Sequence, residues 1–287
     1  MSYLLLILIA IIWGSQYIFN SLALQELTPF GLTVLRLFFG FITLTVLLLL
    51  LPSQRTHKMT VTPELLGLFL LIGAVEAVIP FYLIAYGQGR VSSSITAILM
   101  GFIPLMTLVL EYIFGRKHGV RWQEVLGLLI ALIGLVILVA PTSESLQVDI
   151  LGLSAILGAA FCFALALILM AKIPQEISPL QGTHFILMLY VVPLSIVWLA
   201  LNYNTLPTQS ETWYSVITLG VFASGVVYLL YLTLVRQSGA SFTALSNYLV
   251  PVVGTLLGVL FLQEPFTLNI FIALVLITFS LGIIRRI

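Results

Sequence analysis

About ten stretches of this chain are each apolar for long enough to cross a lipid bilayer, and little is left over between them. Crossing about 30 Å of hydrocarbon takes roughly 18 or more apolar residues in helical form. Runs of that length lie near 3–23, 30–51, 65–86, 92–114, 122–140, 150–171, 181–201, 213–234, 241–262 and 267–284. Inside lipid a backbone must satisfy its own polar groups, so such runs are helices. Charged residues make up 7% of the 287, against about 25% in a soluble domain. The expected fold class is an all-α integral membrane protein with ten transmembrane helices and no extramembrane domain. Residues 3–12 resemble a signal-peptide core, but no Lys or Arg precedes them and the run continues to Leu24, so they read as the first span.

A segment in the fourth span returns in the ninth. Ser94, Thr96, Ala97 and Pro104 recur as Ser241, Thr243, Ala244 and Pro251, all at one offset (251 − 104 = 147). The chain therefore divides into five-helix repeats over 1–141 and 150–287, joined through the acidic stretch 141–149. Matched, proline-interrupted spans in duplicated halves are a pointer to a secondary transporter and its central site.

The basic residues give an orientation. Arg55, Lys58, Arg116, Lys117, Arg121, Lys172, Arg236, Arg285 and Arg286, nine of the eleven, fall on one set of alternate loops and the C-terminus. The other set holds Arg90 together with Glu26, Glu144, Asp149, Glu211 and Glu264. Positive loops stay in the cytoplasm, so both termini are expected there. Five spans per half is odd, so the second half must enter from the opposite face. The repeats are expected to be inverted.

Glu76 lies near the middle of the third span. An ionisable side chain at the bilayer centre costs about 2.5–3.5 kcal/mol on insertion scales and marks a functional position by default. It can rest as a neutral acid and ionise when a cation arrives or a proton leaves; the alternative is a structural glutamate bonded to a neighbouring helix. Trp13, Gln16 and Asn20 stand at i, i+3 and i+7 of the first span and share a helical face, suited to a cavity wall or to interhelical hydrogen bonding. Met100 and Pro104 in the fourth span, and Asn247 and Pro251 in the ninth, follow helical spacing. Each proline removes a helical hydrogen bond and frees backbone carbonyls, for a substrate contact or a hinge. Tyr82 and Tyr228 offer aromatic surface with a polar tip deep in the third and eighth spans. Tyr86, nearer a membrane surface, reads as an interfacial residue. The substrate-binding set is therefore Trp13, Gln16, Asn20, Glu76, Tyr82, Met100, Tyr228 and Asn247, with Pro104 and Pro251 as hinges.

Other residues read as structural. Arg36, about two turns into the second span, has the reach to snorkel to the headgroups, and His184 reads as interfacial. Gly254 and Gly258 form a GxxxG, while Gly127, Ala131 and Gly134 make a small-residue face; both suit close helix packing and assign no oligomeric state. The single cysteine, Cys162, excludes an intrachain disulfide and a Cys-based metal site. No cofactor or metal is expected.

With these residues in hand, the chain resembles the EamA-like family of the drug/metabolite transporter superfamily along essentially its whole length. The resemblance is carried by Trp13-Gly14-Ser15 with Phe19, by Pro29 and Arg36, by Pro104 and Pro251, and by Glu264-Pro265. It departs from the family at Gly115-Arg116-Lys117-His118, where an acidic residue is usual, and at Phe161-Cys162-Phe163-Ala164, where the second Trp-Gly is missing. Glu76 is not part of the family signature. The resemblance implies ten helices, an inner-membrane location, export of small metabolites, and a cavity lined by helices one, three, four, six, eight and nine.

The expected function is a secondary active transporter of a small metabolite such as an amino acid or organic cation. It would work by alternating access, with protons as a coupling partner through Glu76. A flippase for a lipid carrier or other amphipathic solute is the alternative within the superfamily. A partner subunit without transport of its own is a further one. An intramembrane enzyme needs paired aspartates, HExxH or GxSxG; the chain has one aspartate, Asp149, and neither motif. No nucleic-acid partner is expected, and with no GxxxxGK[ST] loop any driving energy comes from gradients.

Overall fold

The computed structural model describes residues 2–51, 60–91, 96, 99–114, 121–139, 149–201, 206–250, 252–253 and 268–285. Among these the regular structure is helical: α1 (Ser2–Ala23), α2 (Pro29–Leu50), α3 (Pro63–Gln88), α4 (Ile103–Ile113), α5 (Trp122–Val139), α6 (Ile150–Met170), α7 (Pro179–Ala200), α8 (Ser210–Ala244) and α9 (Leu268–Arg285). Six of them, α1, α2, α3, α6, α7 and α8, are long and apolar enough to cross a membrane, and α4 and α5 are shorter apolar helices. The chain is a multi-pass membrane protein. Pro251, Gly254, Gly258, Glu264-Pro265 and residues 141–148 of the joining stretch lie outside the described residues.

The starts of the helices are written locally. Thr28, Thr62 and Ser178 each sit in extended backbone before a proline, and their hydroxyls accept from the amides of Gly31, Leu65 and Gln181 at 3.1–3.2 Å. Proline suits the first helical position because its missing N–H has no partner there anyway. Asp149 caps α6 through the Gly152 amide at 2.8 Å. Gly239 (φ 81) breaks α8, a left-handed backbone that favours glycine. Beyond it helical residues continue to Ala244.

Two helices are interrupted by π-helical turns at matched positions. Ala74–Val78 bulges within α3 and Val221–Val226 within α8, and their starts differ by the same interval as the repeated prolines (221 − 74 = 147). A glycine in close contact precedes each. A Cβ on Gly73 would come within 2.3 Å of the Tyr190 ring and 3.2 Å of Ile186 on α7; one on Gly220 would lie 2.3 Å from Phe39 Cβ on α2. So α3 packs on α7 as α8 packs on α2. The same exchange relates α1 on α8 to α6 on α3, while α5 lies along α9.

Side-chain ties close both ends. At one face Ser238 donates to Ser2 Oγ at 2.8 Å, and Glu111 at the end of α4 accepts from the Ser241 amide (3.1 Å) and hydroxyl. At the other, Arg90 meets Asp149 at 3.9 Å, and Glu26 in the α1–α2 loop accepts from the Thr208 amide and hydroxyl and from the Gln209 amide, at 3.2 Å for both amides. The Thr208 and Thr212 hydroxyls pull the Glu26 carboxyl down to about 2. A carboxylate depressed in the folded state contributes above its unfolded value and is lost as pH falls through the folded one. The stability advantage of wild type over Glu26→Gln should therefore be constant near neutrality and narrow as pH drops from about 4.5 towards 2. Thermal unfolding in detergent across that range measures it, and a pH-independent difference would remove the tie.

Candidate central site

The π-helical turns leave backbone carbonyls without helical partners, a local irregularity often found at functional sites. The Glu76 carbonyl accepts from the Tyr228 hydroxyl at 2.7 Å. The Ala223 carbonyl accepts from Trp13 Nε1 at 3.4 Å and from Arg36 Nη2 at 3.3 Å. Three helices from different parts of the chain thus converge on two bulges.

Around these bonds stands an aromatic cluster. The Trp13 ring is 4.8 Å from Tyr231 and 6.1 Å from Phe163, Phe81 is 6.2 Å from Phe163, and Phe81 stacks on Tyr228 at 6.0 Å. The Glu76 side chain is 1% exposed, and both carboxyl oxygens lack a hydrogen-bond partner among the described residues. Tyr228, Tyr231 and Cys162 lie within its electrostatic reach. The Tyr231 hydroxyl faces Asn247 yet is itself without a bond in hydrogen-bonding geometry. Buried polar groups are nearly always paired, so a carboxyl and a phenol left open here are an exception that calls for a partner.

Arg36 is the main correction to the sequence reading. It does not snorkel: it is 2% exposed. It donates through Nε to Ser224 Oγ at 3.0 Å and through Nη2 to Gln16 Oε1 and the Ala223 carbonyl, both at 3.3 Å. Its Cζ lies 3.6 Å from the centre of the Phe81 ring. Since α2 packs directly on the α8 bulge, the side chain points into protein instead of along the lipid. The rule that singled out Glu76, an ion deep in an apolar run, applies equally to Arg36 and would have found it. His184 is half-buried, with Nε2 3.0 Å from Thr45 Oγ1 and its ring stacked on Phe41.

Of the expected residues, the structure brings Trp13, Gln16, Glu76 and Tyr228 together and sets Asn247 beside Tyr231. Asn20 is buried on the same α1 face but turns to Gln88, donating to its Oε1 at 3.0 Å. Tyr82 is 41% exposed on a stripe with Ile79 and Tyr86, and its ring lies against Tyr86. The Arg90 guanidinium lies over the Tyr86 ring, 3.8 Å from its centre. Met100 is buried ahead of α4. Pro104 sits in the first turn of α4, just after a turn at Gly101–Phe102 that follows the helical residues Leu99 and Met100. Phe81 and Phe163 were not anticipated. Aromatic residues in apolar spans carry no local mark separating an inward from a lipid-facing position.

The EamA-like transporter family matches the chain twice, over residues 1–140 and 150–286. The chain belongs to the EamA-like transporter family. Similar proteins include the uncharacterized transporter YoaV of Bacillus subtilis (strain 168), 23% identical over 278 residues, spanning 95% of this chain and 92% of that protein. The uncharacterized inner membrane transporter YedA of Escherichia coli (strain K12) is 26% identical over 256 residues, spanning 86% and 78%. A crystal structure superposes with a TM-score of 0.75 over 99% of this chain and 98% of that one. At 18% identity that likeness shows the fold alone. For this member of the family the signature Pro29 and Arg36 now have places: Pro29 starts α2 and Arg36 joins α2 to the α8 bulge.

Proposed function

We propose that this protein is a secondary active transporter that moves a small metabolite, such as an amino acid or organic cation, by alternating access. Its site is the cluster of Trp13, Gln16, Glu76, Tyr228 and Asn247. The observation that carries this reading is Glu76: a buried carboxyl without a hydrogen-bond partner among the described residues, within electrostatic reach of Tyr228 and Tyr231 in the aromatic cluster. Such rings attract organic cations through their faces, and the carboxyl supplies a counter-charge or a proton acceptor. Export and coupling to protons belong to the same proposal.

Ten spans in two inverted repeats, 1–141 and 150–287, are the architecture we assign. The matched bulges and the exchanged packing of α3 on α7 and α8 on α2 support it. So do the ties: α1 begins at the face of Ser238, whereas α6 begins at the opposite face, beside the end of α3. The distribution of Lys and Arg favours cytoplasmic termini in the inner membrane. Glu26–Thr208 would then close the outer face and Glu111–Ser241 the cytoplasmic one, both joining the first half to the second. Opening one while the other holds would expose the cluster to one side at a time.

Counterflow in proteoliposomes tests the proposal. Vesicles preloaded in turn with each standard amino acid and with small organic amines should take up the same labelled compound, saturably, for at least one of them. A chain that moves none faster than protein-free vesicles would overturn it.

A further inference from the structure

We infer that Arg36 is the anion-recognising residue of the central site, the point where a carboxylate on the cargo docks. The inference rests on reading the aromatic cluster as the cargo site. A guanidinium stays charged under all ordinary conditions, and a buried ion without a partner of opposite charge is unfavourable. Arg36 has only neutral acceptors: the Ser224 hydroxyl, the Gln16 amide oxygen and the Ala223 carbonyl. Among the described residues no carboxylate lies within ion-pair distance of it, and its hydrogen bonds run from Nε and Nη2, not from Nη1.

Glu76, the group able to carry the opposite charge, is near but not bonded to Arg36. Phe81 lies under the guanidinium and stacks on Tyr228, whose hydroxyl is bonded to the Glu76 backbone. Tyr228 lies within electrostatic reach of both Arg36 and Glu76. Arg36 and Glu76 therefore both approach one pair of stacked rings, each without an ionic partner among the described residues. A solute with a carboxylate at one end and an ammonium at the other matches both charges. A plain organic cation matches Glu76 and leaves Arg36 opposed. A purely structural role, tying α2 to the α8 bulge, accounts for Nε and Nη2. It does not account for Nη1.

Thermal unfolding of purified protein with added ligand provides the test, because a binder stabilises the native state according to its concentration over Kd. The probes are the standard amino acids, the amines left when each loses its carboxylate, sodium acetate, and sodium chloride at equal ionic strength. At least one amino acid should raise Tm where its decarboxylated amine and chloride do not. Arg36→Gln should weaken that amino acid about tenfold or more, as loss of a buried charged partner does, while leaving amine binding no weaker. Arg36→Lys should recover part of the preference. Amines that match their amino acids, chloride that stabilises as well, an Arg36→Gln protein that keeps the preference, or no stabilisation by any carboxylate would each overturn the assignment. The comparison among probes needs only wild type, so it stands even where Arg36→Gln does not fold. Saturable flux of amines without preference for the carboxylate would remove Arg36's role and leave the transporter standing. Carboxylate-selective binding without flux would do the reverse.

Discussion

Glu76→Gln in reconstituted vesicles is expected to abolish the response of solute uptake to an imposed pH gradient while one-for-one exchange continues. Glutamine keeps the size and polarity of the side chain but neither gains nor loses a proton, so binding geometry survives and coupling does not. A structural glutamate would behave differently in a second measurement. Both oxygens of Glu76 are buried without partners, and an unsatisfied buried polar group costs about 1–3 kcal/mol. Glu76→Met, of similar length and apolar, should therefore raise the unfolding temperature in detergent, as replacements at sites kept for activity often do. A variant that is destabilised and still pH-responsive would show Glu76 to be a structural residue and remove it from coupling.

The second large effect lies in the backbone. Gly220→Ala should destabilise the protein by about 1–3 kcal/mol, the usual cost of overpacking a core, and Gly220→Val by more. The added Cβ would meet Phe39 Cβ at 2.3 Å and the Arg36 carbonyl oxygen at 3.0 Å. Neither is the free end of a flexible side chain, so α2 must move away from α8. That shift would also stretch the bonds from Arg36 to Ser224 and Ala223, so transport should fall along with stability. Gly67→Ala is the matched control: nothing lies within 4 Å of its Cβ position, and alanine gains about 0.5–1 kcal/mol over glycine inside a helix. Equal unfolding temperatures for Gly220→Ala and Gly67→Ala would refute the close contact.

The candidate site was partly legible before folding. Trp13, Gln16 and Glu76 were found because polar groups in an apolar run must be sheltered, and helical spacing says which of them share a face. Tyr228 followed from its depth. Tyr82, one residue from the inward Phe81, turned to the exposed stripe because successive helical residues point about 100° apart. Arg36 was misplaced because a long basic chain has two ways out of lipid, toward the headgroups or into the protein, and local sequence does not choose. The π-helical turns left no mark in Ala74–Val78 or Val221–Val226; they arise where a tightly packed neighbour displaces one residue from the helical ladder.

Membrane-spanning helices, their starts, and membership of the EamA-like family are set by near neighbours in the chain: lipid leaves the backbone one way to bond itself, and Thr-Pro or Ser-Pro pairs say where each helix begins. Which rings meet, that Arg36 and Glu76 share a cluster without sharing a bond, and which loops tie one half to the other depend on residues up to 236 positions apart. Those meetings come from packing helix against helix, and only the assembled bundle could decide them.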